Sequence, residues 1–153
     1  MNHNRSRGFT LIELLVVITI IGVLSSVVLA SLNTARSRGN DAAIQSDLAA
    51  IQTQAEIFYG ANSNTYGTAA TACTATAGTL WADTTVKKAI AAAQTAAGGT
   101  APICNSSTSA YAVSIKLNTT MTSQYWCVDS SGQATSTVAS LTSGASNTTC
   151  PVN

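Results

Sequence analysis

The chain has 153 residues, of which only 8% are charged, with a formal net charge of +1 and a single histidine, His3. That length holds one anchor and one small domain, with no room for a second sizeable core. No Gly-rich phosphate loop follows a strand, and Asp41, Asp47, Glu56, Asp83 and Asp129 are too dispersed for a carboxylate pair or a calcium loop. Imidazole catalysis, nucleophile pairs with histidine and histidine metal ligands would all rest on His3, in a segment read below as removed. The reading is therefore of no enzyme and no cofactor.

Residues 1–8 carry Arg5 and Arg7 and no acid, which by the positive-inside rule keeps this end in the cytoplasm and sends the rest outward. An apolar run follows from Phe9 to Leu32, about 24 residues, and as a helix it would cover roughly 36 Å, enough to cross a bilayer core with some tilt. Inside it stands one carboxylate, Glu13, whose burial in hydrocarbon costs on the order of 2.5 to 3.5 kcal/mol. No Lys or Arg lies between Thr10 and Asn33 to neutralise it. A cut between Gly8 and Phe9 would create an α-amino group at the helix N-terminus, which a neighbouring copy could offer to Glu13. The plainer alternative is that Glu13 snorkels to water at the membrane edge. Gly22, Ser26 and Ala30 recur every four residues, a stripe of small side chains that lets another helix approach closely, although such spacing also arises by chance.

The stretch Arg-Gly-Phe-Thr-Leu-Ile-Glu-Leu-Leu-Val-Val at residues 7–17 resembles the class III leader of type IV pilin-like proteins. The resemblance covers roughly residues 5–32 and is architectural beyond them. It implies cleavage after Gly8 by a prepilin peptidase, N-methylation of the new terminal Phe9, and a role for Glu13 in recruiting subunits into a helical filament. It also implies an assembly platform protein and an ATPase. Many filament-forming members carry a helix-bending proline about where Ala30 stands, and this chain departs from them there.

From Asn33 to about Tyr59 the helix continues in a different character. Ile44, Leu48, Ile51, Ala55 and Phe58 fall at alternating steps of four and three, a narrow apolar seam for lying along a compact domain. Gly39-Asn40 is a weak spot and marks a candidate kink or melted turn. Gly60 to about Thr79 reads as a loop. Asp83 or Thr84 then caps a short second helix that runs to about Ala97 and is stopped by Gly98-Gly99. Tyr111 to Leu117 alternates, with Tyr111, Val113, Ile115 and Leu117 on one side and Ala112, Ser114 and Lys116 on the other. Gln124 to Asp129 and Ala134 to Ala139 read as further strands around a Ser130-Ser131-Gly132 turn, giving an antiparallel sheet of three or four strands.

Four cysteines, Cys73, Cys104, Cys127 and Cys150, fall after the anchor, where an exported domain meets an oxidising compartment. Three pairings are possible. Cys73–Cys104 with Cys127–Cys150 is preferred, because sequential loops suit a small chain and the second pins the C-terminus to a strand. A four-cysteine zinc site lacks any close Cys-x-x-Cys pair. The triplets at Asn105, Asn118 and Asn147 match the glycosylation pattern, but a Ser/Thr-rich chain makes such matches by accident, and they are read as composition.

The expected architecture is α+β: a long N-terminal helix, half membrane-spanning and half amphipathic, packed on a small antiparallel sheet. Its parts are a leader (1–8), a membrane and filament-core helix (9–32), an amphipathic continuation (33–59) and a disulfide-stapled head (60–153). The expected function is a self-assembling structural subunit of a type IV pilus or related filament. The precursor would be single-pass in the cytoplasmic membrane and the product an extracellular fibre. A pseudopilin of a type II secretion or DNA-uptake machine, in the envelope, shares this chemistry. A secreted binding module released by an ordinary signal peptide after Ala30 is the reading from another class; against it stand the length of the run, the Glu inside it and the Gly-Phe junction. Loss of Arg5 and Arg7 leaves five Lys/Arg against six Asp/Glu. That near-neutral balance, with no basic cluster beyond Lys87-Lys88, argues against a dedicated nucleic-acid platform but says nothing of weak binding at a filament tip.

Overall fold

A computed structural model describes residues 8–74, 76–119 and 124–151; His3, Arg5 and Arg7 of the leader, and Thr120 of the second Asn-x-Ser/Thr triplet, lie outside them. Two compact units divide the chain, one ending at Arg36 and the other beginning at Ser37. A single helix, α1 (Leu11–Ala61), runs through the division.

In the first unit every large apolar side chain from Phe9 to Leu32 is exposed, and the most apolar 18-residue window has a mean hydropathy of 2.7. Two of its few hydroxyls are satisfied along the helix itself. Thr19 and Ser26 donate their hydroxyls to the carbonyls of Val16 and Val23, at 2.8 and 2.7 Å. Hydrocarbon offers no other partner, so such back-bonding makes these residues acceptable in a span.

In the second unit α1 turns amphipathic. Asp41, Ile44, Leu48, Ile51 and Ala55 are buried, and Phe58 packs partly against the same core. The helix continues unbroken through Gly39-Asn40, contrary to the expected weak turn. A glycine here costs about 1 kcal/mol relative to alanine. What offsets it is close by: Asp41 Oδ1 accepts the backbone N–H of Asn118 at 2.6 Å, and the Asn118 amide donates to Ala96 O at 3.0 Å. One carboxylate thereby ties the helix to the end of a strand and the end of the second helix.

A 3-10 turn at Leu80–Ala82 buries Leu80 and Trp81 and leads into α2 (Thr84–Ala96). Asp83 caps α2, accepting from the N–H groups of Thr85 and Val86 at 2.8 and 3.0 Å. Val86, Ala89, Ile90 and Ala93 form its buried face. Gly98 and Gly99 close it with positive φ angles of 67° and 90°, Gly99 N–H returning to Gln94 O at 2.9 Å.

The sheet is an antiparallel meander of β1 (Ile103–Ser106), β2 (Tyr111–Lys116), β3 (Tyr125–Asp129) and β4 (Ala134–Thr137) in sequential order. Strand β1 had no counterpart in the sequence reading. Its four residues are too short for a period-2 pattern, and Asn105 in the middle speaks against a buried strand. One sheet face carries Cys104, Val113, Ile115 and Val128 into the core shared with α1 and α2.

The opposite face is buried as well, which alternation alone does not announce: Ala112 and Ser114 are enclosed and only Lys116 is exposed. The C-terminal segment covers this face. Asn105, fully buried, donates its amide to the carbonyls of Thr142 and Asn147, both at 2.8 Å, and accepts from Gly144 N–H at 3.0 Å. Cys150 N–H donates to Asp129 Oδ2 at 2.8 Å, and Leu141 is buried. The fold is α+β, a long helix and a shorter one against a four-stranded antiparallel sheet.

Candidate functional site

The residues singled out at the N-terminus meet around the start of α1. Gly8, Phe9 and Thr10 precede the helix in non-helical, exposed backbone, and Phe9 is 83% exposed. The Gly8–Phe9 peptide bond therefore lies in accessible chain, the condition proteolysis requires.

Thr10 is the N-cap of α1 and Glu13 is its third helical residue. The Thr10 N–H and hydroxyl both donate to Glu13 Oε2, at 2.9 and 2.6 Å, and the Thr10 hydroxyl accepts from Glu13 N–H at 3.3 Å. This is a capping box. The apolar segment lacks a cation for Glu13 but does provide donors, and the positive end of the helix dipole favours a carboxylate there. Thr10 is the residue the sequence reading passed over. Its signal, Thr10-x-x-Glu13 directly before an apolar run, was present. The arrangement can hold one Glu13 oxygen locally while an incoming ammonium group competes for the carboxylate.

Gly22, Ser26 and Ala30 share one stripe of α1 and are all exposed; a Cβ added at Gly22 would meet nothing within 4 Å. In the head, Cys73 is bonded to Cys104 and Cys127 to Cys150, with Cα atoms 5.0 and 5.7 Å apart. The first bond fastens the loop after α1 to β1, and the second fastens the C-terminal segment to β3. The glycosylation-type asparagines are engaged in the fold: Asn105 as above, Asn118 on Asp41 and Ala96, and Asn147 on the Thr142 hydroxyl at 2.8 Å.

Beside α1 an aromatic row runs Tyr59, Tyr66, Tyr111, Trp81, with ring centroids 4.7, 5.0 and 6.3 Å apart in turn. Tyr66 donates its hydroxyl to Glu56 Oε1 at 2.8 Å. Burial, reinforced by the Glu56 carboxylate, pushes the Tyr66 phenol well above its ordinary range, and burial does the same to Tyr111. Burial also raises the Asp47 carboxyl. A polar hollow of about 460 Å³ opens beside Glu56, lined by Gln52, Thr53, Asp129, Ser130, Ser131 and Gly132. Among the described residues no group of three or more His, Cys, Asp or Glu is close enough to hold a metal ion.

Comparison with known proteins finds one family and one relative over part of the chain. Residues 3–29 match the family of the prokaryotic N-terminal methylation motif. Type II secretion system core protein G of Dickeya chrysanthemi is 39% identical over 56 residues, and the alignment spans 37% of each chain, so this chain covers little more than a third of that relative. No solved structure matches.

Proposed function

We propose that this chain, a type IV pilin-like protein, is a structural subunit of a type IV pilus or related filament. In this reading it is made as a single-pass membrane precursor, cleaved after Gly8 by a prepilin peptidase and N-methylated at Phe9. The observation that supports it best is one of register. The accessible Gly8–Phe9 bond stands immediately ahead of a capped helix whose only early charge, Glu13, lies one turn inside. Before cleavage Arg5 and Arg7 hold the precursor in the cytoplasmic leaflet. After cleavage the cationic amine of Phe9 neutralises Glu13 of an adjacent copy, displacing part of the Thr10 hold while the helices exchange lipid for each other. Gly22, Ser26 and Ala30 supply a face on which those helices approach.

The name of the Dickeya relative favours a second reading, a pseudopilin acting as a short envelope piston within a secretion machine. Surface fibres composed mainly of this protein would decide for the pilus, and their absence beside a working secretion machine for the pseudopilus. The test of the shared chemistry is mass spectrometry of the mature N-terminus. A methylated Phe9 is expected, whereas Ser31 would mean release of a secreted module after Ala30. Glu13→Ala is expected to leave cleavage largely intact while filament yield falls, and Gly8→Arg to stop cleavage.

A further inference from the structure

The two disulfides of the head stand in unlike surroundings. Cys127 and Cys150 are both buried, and the Cys150 N–H is held by Asp129 Oδ2 at 2.8 Å. Cys104 is fully buried as well, but its partner Cys73 is only half-buried. Both cysteines of this bond line a mostly apolar hollow of about 410 Å³, whose other walls include Ile90, Gln94, Ala101 and Pro102. No residue lining it carries a charge. Solvent thus reaches this bond at its Cys73 end, from a recess within the size range of small-ligand sites.

We propose that Cys73 is a thiolation site: a small uncharged thiol enters this hollow and exchanges with the Cys73–Cys104 bond, while Cys127–Cys150 stays closed. The incoming thiol gives its proton to water, and its thiolate attacks Cys73 Sγ. A new S–S bond forms there as the bond to Cys104 breaks; the Cys104 sulfur leaves with the electron pair and takes a proton from water. One thiol is consumed and one is created, so no oxidant or reductant beyond the thiol itself is needed. The core encloses Cys104 and bars attack at its sulfur. Its thiol, once freed, suits that place, because a buried free cysteine packs as a small hydrophobe. An uncharged body is favoured because the walls offer a charged one no counter-charge to offset its lost hydration. The loop keeps other ties when the bond opens. Ala70 and Ser106 exchange backbone hydrogen bonds at 2.9 and 2.7 Å, and the Ser143 hydroxyl donates to Thr71 O at 3.3 Å. Nothing in this chemistry depends on the filament reading.

The test treats the folded full chain in detergent with mercaptoethanol, quenches with an alkylating reagent and maps every cysteine by peptide mass spectrometry. A mercaptoethanol adduct on Cys73, beside an alkylated Cys104, is expected to accumulate at least about tenfold faster than any opening of Cys127–Cys150. Mercaptoethanesulfonate, an anionic thiol of like size, is expected to be slower by about threefold or more once its thiolate fraction is matched. A folded protein with one exposed cysteine, too large for the hollow, is expected to give no adduct in the same time. Ala101→Phe enlarges an exposed wall residue and should slow the Cys73 adduct by about fivefold or more, leaving Cys127–Cys150 as it was. Adducts on Cys104, equal opening of both bonds, or a protein or anionic thiol as fast as mercaptoethanol would overturn the assignment. So would a rate indifferent to Ala101→Phe, or a loss of amide protection in β2 and β3 that keeps pace with the adduct, which would mean exchange through unfolding.

Discussion

The Thr10 hydroxyl and the Glu13 carboxylate are 2.6 Å apart at the first turn of α1, so the only acid of the apolar segment closes the helix end on which the proposed assembly chemistry depends. Thr10→Val keeps the shape and removes both the hydroxyl donor and its acceptor. The loss is expected to be about 1 kcal/mol at the helix terminus, the usual worth of an N-cap. Amide exchange at residues 11–14 in a membrane mimetic should quicken by roughly fivefold, with no change beyond residue 20. Glu13→Gln, which retains an acceptor, should show a smaller change. Equal protection in Thr10→Val and the unaltered chain would mean that the box contributes nothing in a membrane setting.

Gly67 and Gly78 cross with almost no space between them. A Cβ at Gly67 would stand 2.0 Å from Gly78 O, and Gly67 has a φ of +88°, where L side chains are strained. Neither obstacle is the tip of a flexible side chain; both are backbone. Gly67→Ala is therefore expected to destabilise the head by about 2 kcal/mol or more, lowering the denaturant midpoint with an unchanged slope. Gly78→Ala, whose added Cβ meets nothing within 4 Å but whose φ is +80°, should cost about 1 kcal/mol. A reversed order of the two midpoints would contradict the clash.

Much of this architecture could be read from residues alone, for reasons that also explain the omissions. The seam Ile44, Leu48, Ile51, Ala55 announced the buried face of α1 because helical periodicity is a local property. Asp83 announced the start of α2 because a cap acts on its own next turn. Asp41 and Asn105 gave no such notice. Asp41 is buried because it accepts from Asn118, far along the chain, and Asn105 because three backbone groups of the C-terminal segment surround its amide. Polar residues that fold distant segments together look, in one dimension, like any solvated Asp or Asn. Thr10 is the opposite case: its signal is local, a Thr-x-x-Glu spacing directly ahead of the apolar run.

Asn105 makes that contrast measurable. Replacing it by Ala takes from the carbonyls of Thr142 and Asn147 and the N–H of Gly144 the partner that the buried sheet face offers them. A loss of about 2 to 3 kcal/mol is expected, with faster amide exchange over residues 141–149 and little change in α2. The Cys127–Cys150 bond keeps the segment tethered, so combining Asn105→Ala with loss of that bond should cost more than the sum of the two. If Asn105→Ala instead matches the unaltered chain in stability, the amide is not what holds the C-terminal segment down.

Tyr111 supplies a prediction in pH. Its hydroxyl is buried and finds no hydrogen-bond partner among the described residues, while burial first, and the neighbouring Tyr66, Glu56 and Asp129 after it, raise its ionisation above the ordinary value of 10.0. A group whose pKa is raised on folding gives its full contribution below the unfolded value and loses it as pH climbs from there toward the folded one. The head should thus be indifferent to pH near neutrality and weaken above about pH 10, where the unfolded chain sheds phenolic protons that the folded chain keeps. Tyr111→Phe removes one such proton and an unpaired polar atom together. It is expected to be as stable as the parent at pH 7, or more stable by up to about 1 kcal/mol, and to lose less stability between about pH 10 and 12. Denaturant melts at about pH 7 and 11 read both effects, and a steeper alkaline loss in Tyr111→Phe than in the parent would reverse the sign of the argument.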